Sequence, residues 1–157
     1  MPPTSRPCKP TTCTISLGSK KAIMPFCFNR CRRRSTPGVC SMSQTFTAEV
    51  GDVVSFDWNF LTNKATHLNE PDTPPNPELN DLAFVTIVTP SLVADTAFWP
   101  FSLSQTALSG ETGFRRFSFT IPATGTYTLS IGMVDVGDGG GLSGLLVDNV
   151  SLTPVNP

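Results

Sequence analysis

The chain has 157 residues, enough to bury one ordinary core and too few for two, and its formal charge of −1 averages two unlike halves. Residues 1–43 carry eight Lys and Arg and no acid, whereas residues 44–157 carry all twelve Asp and Glu against Lys64, Arg115 and Arg116, a net charge of −9. The acidic part lacks the basic stripe that displaces counterions from a polyanion, which argues against a nucleic-acid partner, and no run approaches the roughly 20 apolar residues of a membrane-spanning helix.

The basic segment comes first. It holds all five cysteines (Cys8, Cys13, Cys27, Cys31 and Cys40) and six prolines spread among Ser, Thr and Arg. No helical or strand period survives there for more than a few residues, so residues 1–43 read as a poorly ordered segment. Lys20-Lys21 followed by AIMPFCF has the basic start of a secretory signal. Its apolar run is minimal, contains Pro25 and leads straight into NRCRRR, so the signal is not convincing. Cys27, Cys31 and Cys40 fall short of the four ligands of a structural zinc, and the lone His67 lies in the other compositional zone. Composition therefore places the domain boundary near residue 43, with the folded domain at 44–157.

From Gln44 the pattern becomes period two, punctuated by turns. Phe46, Ala48 and Val50 alternate with Thr45, Thr47 and Glu49 before Gly51-Asp52 turns the chain. Phe56, Trp58 and Phe60 alternate with Ser55, Asp57 and Asn59. AFVTIV (83–88) is a short β-branched strand, and FWPFSL (98–103) is an edge strand at best, because Pro100 cannot donate to a ladder. Phe117, Phe119 and Ile121 form the next apolar row, Tyr127, Leu129, Ile131 and Met133 another, and SGLLVDNVSL (143–152) closes the series. Short strands joined by Gly, Pro, Asn and Asp, without a helical pattern, specify an all-β fold, an antiparallel β-sandwich. The aromatic rows at 56–60 and 117–119 are expected to supply its two inner faces.

Two loops interrupt that rhythm: the acidic, proline-rich stretch 62–81 and DVGDGGGLSG (135–144). Loops as long as the first are usually functional or mobile. The glycines of the second are followed by neither lysine nor helix, so a phosphate loop is excluded.

The blocks FTAEVGDVVSFDWNFLTN, NDLAFVTIV, FRRFSFTIPATGTYTLSIGMVDVGD and SGLLVDNVSL, in this order over residues 44–153, resemble a β-sandwich domain of bacterial exported proteins. That domain is common in cyanobacteria, and its members often carry a PEP-CTERM sorting tag, which does not follow here. The resemblance implies a galactose-binding-like, jelly-roll sandwich at the cell surface or in the matrix. Glycan or extracellular matrix is the implied partner, and no chemistry of its own is implied. In such folds an Asp on the final strand often helps hold a structural calcium ion. The chain departs from the pattern at Lys64, where the family tends to have Glu, and in its Cys/Arg-rich segment.

Candidate sites follow from residues and resemblance together. Asp148 shares a period-two face with Leu146, Val150 and Leu152, an odd place for a carboxylate. Asp81 is in phase with Ala83 and Val85, and Asp135 follows Met133 on the core phase of its strand. A calcium ion held by Asp148 and Asp81, with Asp135 or Glu70, would relieve the repulsion among these acids. The competing reading is that Asp148-Asn149 caps neighbouring backbone. For a glycan, Trp99 is the candidate platform and Arg115 and Arg116 its polar partners, against Trp99 as plain packing. No nucleophile–base pair can be named, so the expected function is a non-catalytic module for adhesion, matrix structure or glycan binding. The alternative is a polysaccharide-active hydrolase whose paired carboxylates include Asp57.

Overall fold

The structure, a computed structural model, describes residues 12–14, 38–64, 80–96, 101–104, 106, 108–136 and 142–155. Its strands are β1 (Thr12–Thr14), β2 (Gly38–Ala48), β3 (Val53–Thr62), β4 (Leu82–Thr86), β5 (Pro90–Asp95), β6 (Ser102–Leu103), β7 (Gly110–Glu111), β8 (Arg115–Thr120), β9 (Gly125–Asp135) and β10 (Ser143–Thr153), with no helix among the described residues. They form an all-β sandwich of two sheets. The first has the order β1-β2-β9-β4-β5 and is antiparallel except for the short β1–β2 pair. In the second, β3 is central: β10 runs along one edge, while β8 and β7 share the other, β8 along Val53–Trp58 and β7 along Leu61–Thr62, with β6 beyond β7.

Period two decides which side chains meet between the sheets. In the first sheet, cross-strand rows Cys40–Met133–Ala83 and Met42–Ile131–Val85 face inward, and Leu129 continues them. In the second, Val54, Phe56, Trp58 and Phe60 face inward, joined by Leu145 and Val147 of β10 and by Ile121 beyond β8. Val54, Phe56, Phe60, Leu129 and Ile131 are fully buried, and each such side chain contributes about 1.5–3 kcal/mol relative to exposure.

The aromatic rows at 56–60 and 117–119 do not oppose each other across the core, as the sequence led one to expect. They lie on neighbouring strands of one sheet, with Phe56 stacked on Phe117 at a centroid distance of 5.0 Å. The facing layer is built mainly of Met, Cys, Ala and aliphatic residues, with the stacked, partly buried pair Phe46–Tyr127. Strand β2 also begins at Gly38, ahead of the compositional break at 43, and Cys40 and Met42 are core residues. Charge and cysteine content mark where the composition changes; Val39, Cys40, Ser41 and Met42 already alternate outside and inside. β5 was not expected because it opens on a proline, which an edge strand tolerates at its first position, and because its pairing with β4 slips between Ala83 and Phe84, which breaks the alternation.

The C-terminal strand holds the most informative irregularity. Leu145 and Val147 face the core, and so do Val150 and Leu152, three and five residues after Val147. The phase changes because the β10–β3 register shifts between Asp148 and Ser151, where Asn149 has φ 52°. Asn tolerates this left-handed conformation better than other non-glycine residues. Asp148 faces outward by period two from Val147, and the bulge after it turns Val150 and Leu152 inward, so Asp148 does not share their apolar row. Asn149→Val is expected to lower stability by about 1–3 kcal/mol, read as a lower urea midpoint, because a β-branched residue is strained at positive φ. Asn149→Gly should cost less.

Candidate functional site

At one end of the sandwich the close of β3, the start of β4, the close of β9 and the start of β10 come together, and the two long loops depart from the same place. Asp81 is seated by its own backbone. Its N–H donates to Thr96 Oγ1 (2.9 Å) and its carbonyl accepts the Thr96 N–H (3.0 Å). Its side chain continues the inward phase of Ala83 and Val85 and is 0% exposed. A carboxylate so placed needs partners, and the structure supplies three. Lys64 Nζ lies 3.0 Å from Asp81 Oδ1, the Val136 N–H donates to the same oxygen at 2.9 Å, and the Ser143 hydroxyl donates to Oδ2 at 2.6 Å. Thr62 Oγ1, 2.8 Å from Ser143 Oγ, extends the network and accepts the Lys64 N–H at 2.9 Å.

Lys64 also reaches Asp135 Oδ1 at 3.0 Å and the Val136 carbonyl at 3.4 Å, so one ammonium joins two acids and a carbonyl. Burial raises the Asp81 carboxyl above its ordinary value, and the hydrogen bonds from Ser143, Val136 and Lys64 only partly offset this. Burial pulls the Lys64 ammonium the other way, but the hydrogen bonds and charges of Asp81 and Asp135 outweigh it, and the group ends above the usual lysine range.

The structure thus brings Asp81 and Asp135 to one place and leaves Asp148 out. Asp148 lies five residues along β10 from Ser143, about 16 Å at strand rise. Its Oδ1 accepts the N–H of Asn149 at 2.7 Å, the local capping that Asx side chains favour. Calcium takes 6–8 oxygen ligands. Among the described residues no three His, Cys, Asp or Glu come together as a metal site, and the ammonium already stands between the two carboxylates. With Lys64 in that position the described donor set does not fit calcium. Glu70, His67 and Trp99 lie outside the described residues, as do Cys27 and Cys31.

A second constellation covers the outer face of the sheet centred on β3. Register sets Asp148, Asp57 and Arg116 in one cross-strand row. Arg116 Nη1 is 3.7 Å from Asp57 Oδ1 and Nη2 donates to Ser55 Oγ at 2.8 Å, while Asn149 Nδ2 donates to Asp57 Oδ2 at 2.7 Å. Asn59 continues the same phase of β3 and donates to Glu111 Oε2 at 2.8 Å. Phe114, two residues before Arg116, is 59% exposed. Arg115 is exposed and takes the opposite phase, opposite Trp58 in the ladder, with its Nε donating to the Thr112 carbonyl at 3.4 Å. Of the two arginines singled out from sequence, Arg116 joins this face and Arg115 does not.

Sequence reasoning missed Ser143, Thr62 and Phe114, and noted Lys64 only as a departure from a family pattern. The available signal for Lys64 was electrostatic: two acids on the core phase require a cation, and the acidic part of the chain offers only three bases.

No family model matches the chain, and no curated protein is similar to it at a significant level. A solved structure to which it is similar is that of Aeromonas hydrophila PliG, a periplasmic lysozyme inhibitor of g-type lysozyme. The two share 12% identity at a TM-score of 0.29, with 90% of this chain and 97% of that chain covered. So distant a likeness carries no functional argument; what stands of the exported-domain resemblance is its coarse part, an all-β chain with antiparallel sheets.

Proposed function

We propose that the protein is a non-catalytic, exported β-sandwich module that binds glycan across the outer face of the sheet centred on β3, in adhesion or in an extracellular matrix. The observation that carries this reading is the row of Arg116, Asp57 and Asn149 on that face, with Phe114 exposed two residues before Arg116. A sugar ring presents an apolar face and a rim of vicinal hydroxyls. An aromatic ring covers the first, and a planar guanidinium, a carboxylate and an amide can donate to or accept from the second. The Arg116–Asp57 pair is exposed on the arginine side (60%), so it contributes little to the fold and its groups can be exchanged for ligand hydroxyls at small cost.

The test is a glycan array with the full chain, followed by titration of the best binder. Phe114→Ala and Arg116→Ala should each weaken binding about tenfold, the effect of about 1.4 kcal/mol at the site. An array without binders, or binding unchanged in both variants, overturns the reading. One observation favours the hydrolase alternative: Asp148 lies directly opposite Asp57 in the ladder, and two facing carboxylates are the equipment of glycoside hydrolysis. Polysaccharide turnover that disappears in both Asp57→Ala and Asp148→Ala would establish it in place of the binding module.

A further inference from the structure

We propose that Lys64 and Asp81 become joined by an intramolecular amide bond within the folded chain, with Asp135 carrying the proton that the reaction moves. Three observations converge on this. The Lys64 ammonium, its side chain only 9% exposed, lies 3.0 Å from an oxygen of a carboxyl that is 0% exposed. Groups held at such separations react with effective concentrations far above any attainable in solution, on the order of 10⁵ M or more for well-oriented pairs. The Asp81 carboxyl also receives two protein donors that are not lysine, the Val136 N–H at 2.9 Å and the Ser143 hydroxyl at 2.6 Å. Donors so aimed polarise the carbonyl and stabilise the negative oxygen of a tetrahedral intermediate. Finally, a second carboxylate, Asp135, touches the same ammonium at 3.0 Å and is 24% exposed, placed to exchange protons between the amine and water.

The chemistry balances without a co-reactant. Asp135 accepts a proton from the Lys64 ammonium and passes it to the Asp81 carboxylate, and the neutral amine then attacks Cγ of the Asp81 carboxyl. The new C–N bond forms, one C–O bond of Asp81 breaks, and the departing oxygen leaves as water with protons relayed through Asp135. An ammonium and a carboxylate thus give an amide and one water. Burial favours the protonated Asp81 carboxyl that the reaction needs. The Lys64 ammonium, held above the usual lysine range by Asp81 and Asp135 despite its burial, must give up its proton to Asp135 before it can attack. The product would bind the end of β3 to the start of β4 and close covalently the long loop between them. This goes beyond the glycan-binding reading and does not depend on it.

The experiment uses the full chain, purified folded, then reduced and denatured for intact-mass measurement. The expected mass is lower than that of the sequence by one water molecule. Cleavage after Glu78 of the intervening loop should leave two peptides that remain joined through Lys64 and Asp81. Lys64→Arg keeps the cation without a nucleophilic amine, and Asp135→Asn keeps the shape without the proton carrier; both should show the unmodified mass while remaining folded. A folded wild-type chain at its sequence mass overturns the proposal, and so does a water loss confined to one peptide, the mark of a cyclised aspartate. A cross-link that persists in Asp135→Asn overturns the role given to Asp135. Stability supplies an independent readout. A free ammonium with a raised folded pKa contributes stability that is complete below 10.5 and is lost as pH rises through the folded value, whereas an amide has no such proton to lose. Alkaline destabilisation that vanishes in Lys64→Arg would therefore also overturn it.

Discussion

Lys64→Ala is expected to destabilise the domain by about 3–5 kcal/mol, because removing one partner of a buried ion pair leaves the other uncompensated. The argument rests on Asp81, whose side chain is 0% exposed and whose position is fixed by the Thr96 backbone bonds, so it cannot swing out to water when its cation is gone. Asp135, at 24% exposure, can recover hydration and adds less to the loss. An amide between Lys64 and Asp81 would be lost in the same variant, so covalent and ionic forms of the pair predict the same direction. The measurement is urea unfolding of wild type, Lys64→Ala, Asp81→Asn and the double variant. Asn at 81 can keep an oxygen for the Val136 N–H while its amide nitrogen donates to the Ser143 hydroxyl, which can turn to accept, and it carries no charge. The double variant should therefore be more stable than Lys64→Ala alone, a non-additivity expected of residues in one network. A cost below about 1 kcal/mol for Lys64→Ala would place the pair among ordinary surface salt bridges.

What was legible in the sequence follows from which signals are local. The alternation Phe56-Trp58-Phe60 and the row Leu129-Ile131-Met133 depend only on period two, and both lie in the core. The same rule put Asp81 and Asp135 on inward phases, where the structure has them. It failed on β10, since a single residue at φ 52° reverses every later side chain and nothing in an apolar count reports a dihedral. The dipeptide Asp148-Asn149 was the available hint, because these are the residue types that cap backbone and accept left-handed conformations. Which strands pair is less legible still. Phe56 and Phe117 look equally like facing layers or neighbours until register is known, and register depends on contacts 61 residues apart in the chain.

Gly132→Ala is expected to cost about 1–3 kcal/mol, with Gly132→Val costing more, although the position lies in a regular strand where alanine is ordinarily the better residue. Gly132 sits between Ser41 of β2 and Phe84 of β4. A Cβ there would fall 2.6 Å from the Cys40 carbonyl oxygen, 2.8 Å from Phe84 Cζ and 2.8 Å from Ser41 Cβ. The Ser41 Cβ is fixed by its own backbone, whereas the Phe84 contact can be relieved by rotating the ring. The carbonyl is fixed too, because Cys40 belongs to the β2–β9 ladder and moving it would pull apart the longest pairing in the first sheet. The Phe84 ring also shields backbone that the missing side chain would leave bare, as an aromatic neighbour commonly does for a strand glycine. Phe84→Ala should therefore cost about 1 kcal/mol on its own. The two causes separate in the double variant, Gly132→Ala with Phe84→Ala, by thermal or urea unfolding. If the carbonyl dominates, most of the Gly132→Ala penalty survives the loss of the ring. If the penalty disappears with the ring, the collision with Phe84 was its source, and the close approach of β2 to β9 is less rigid than the register implies.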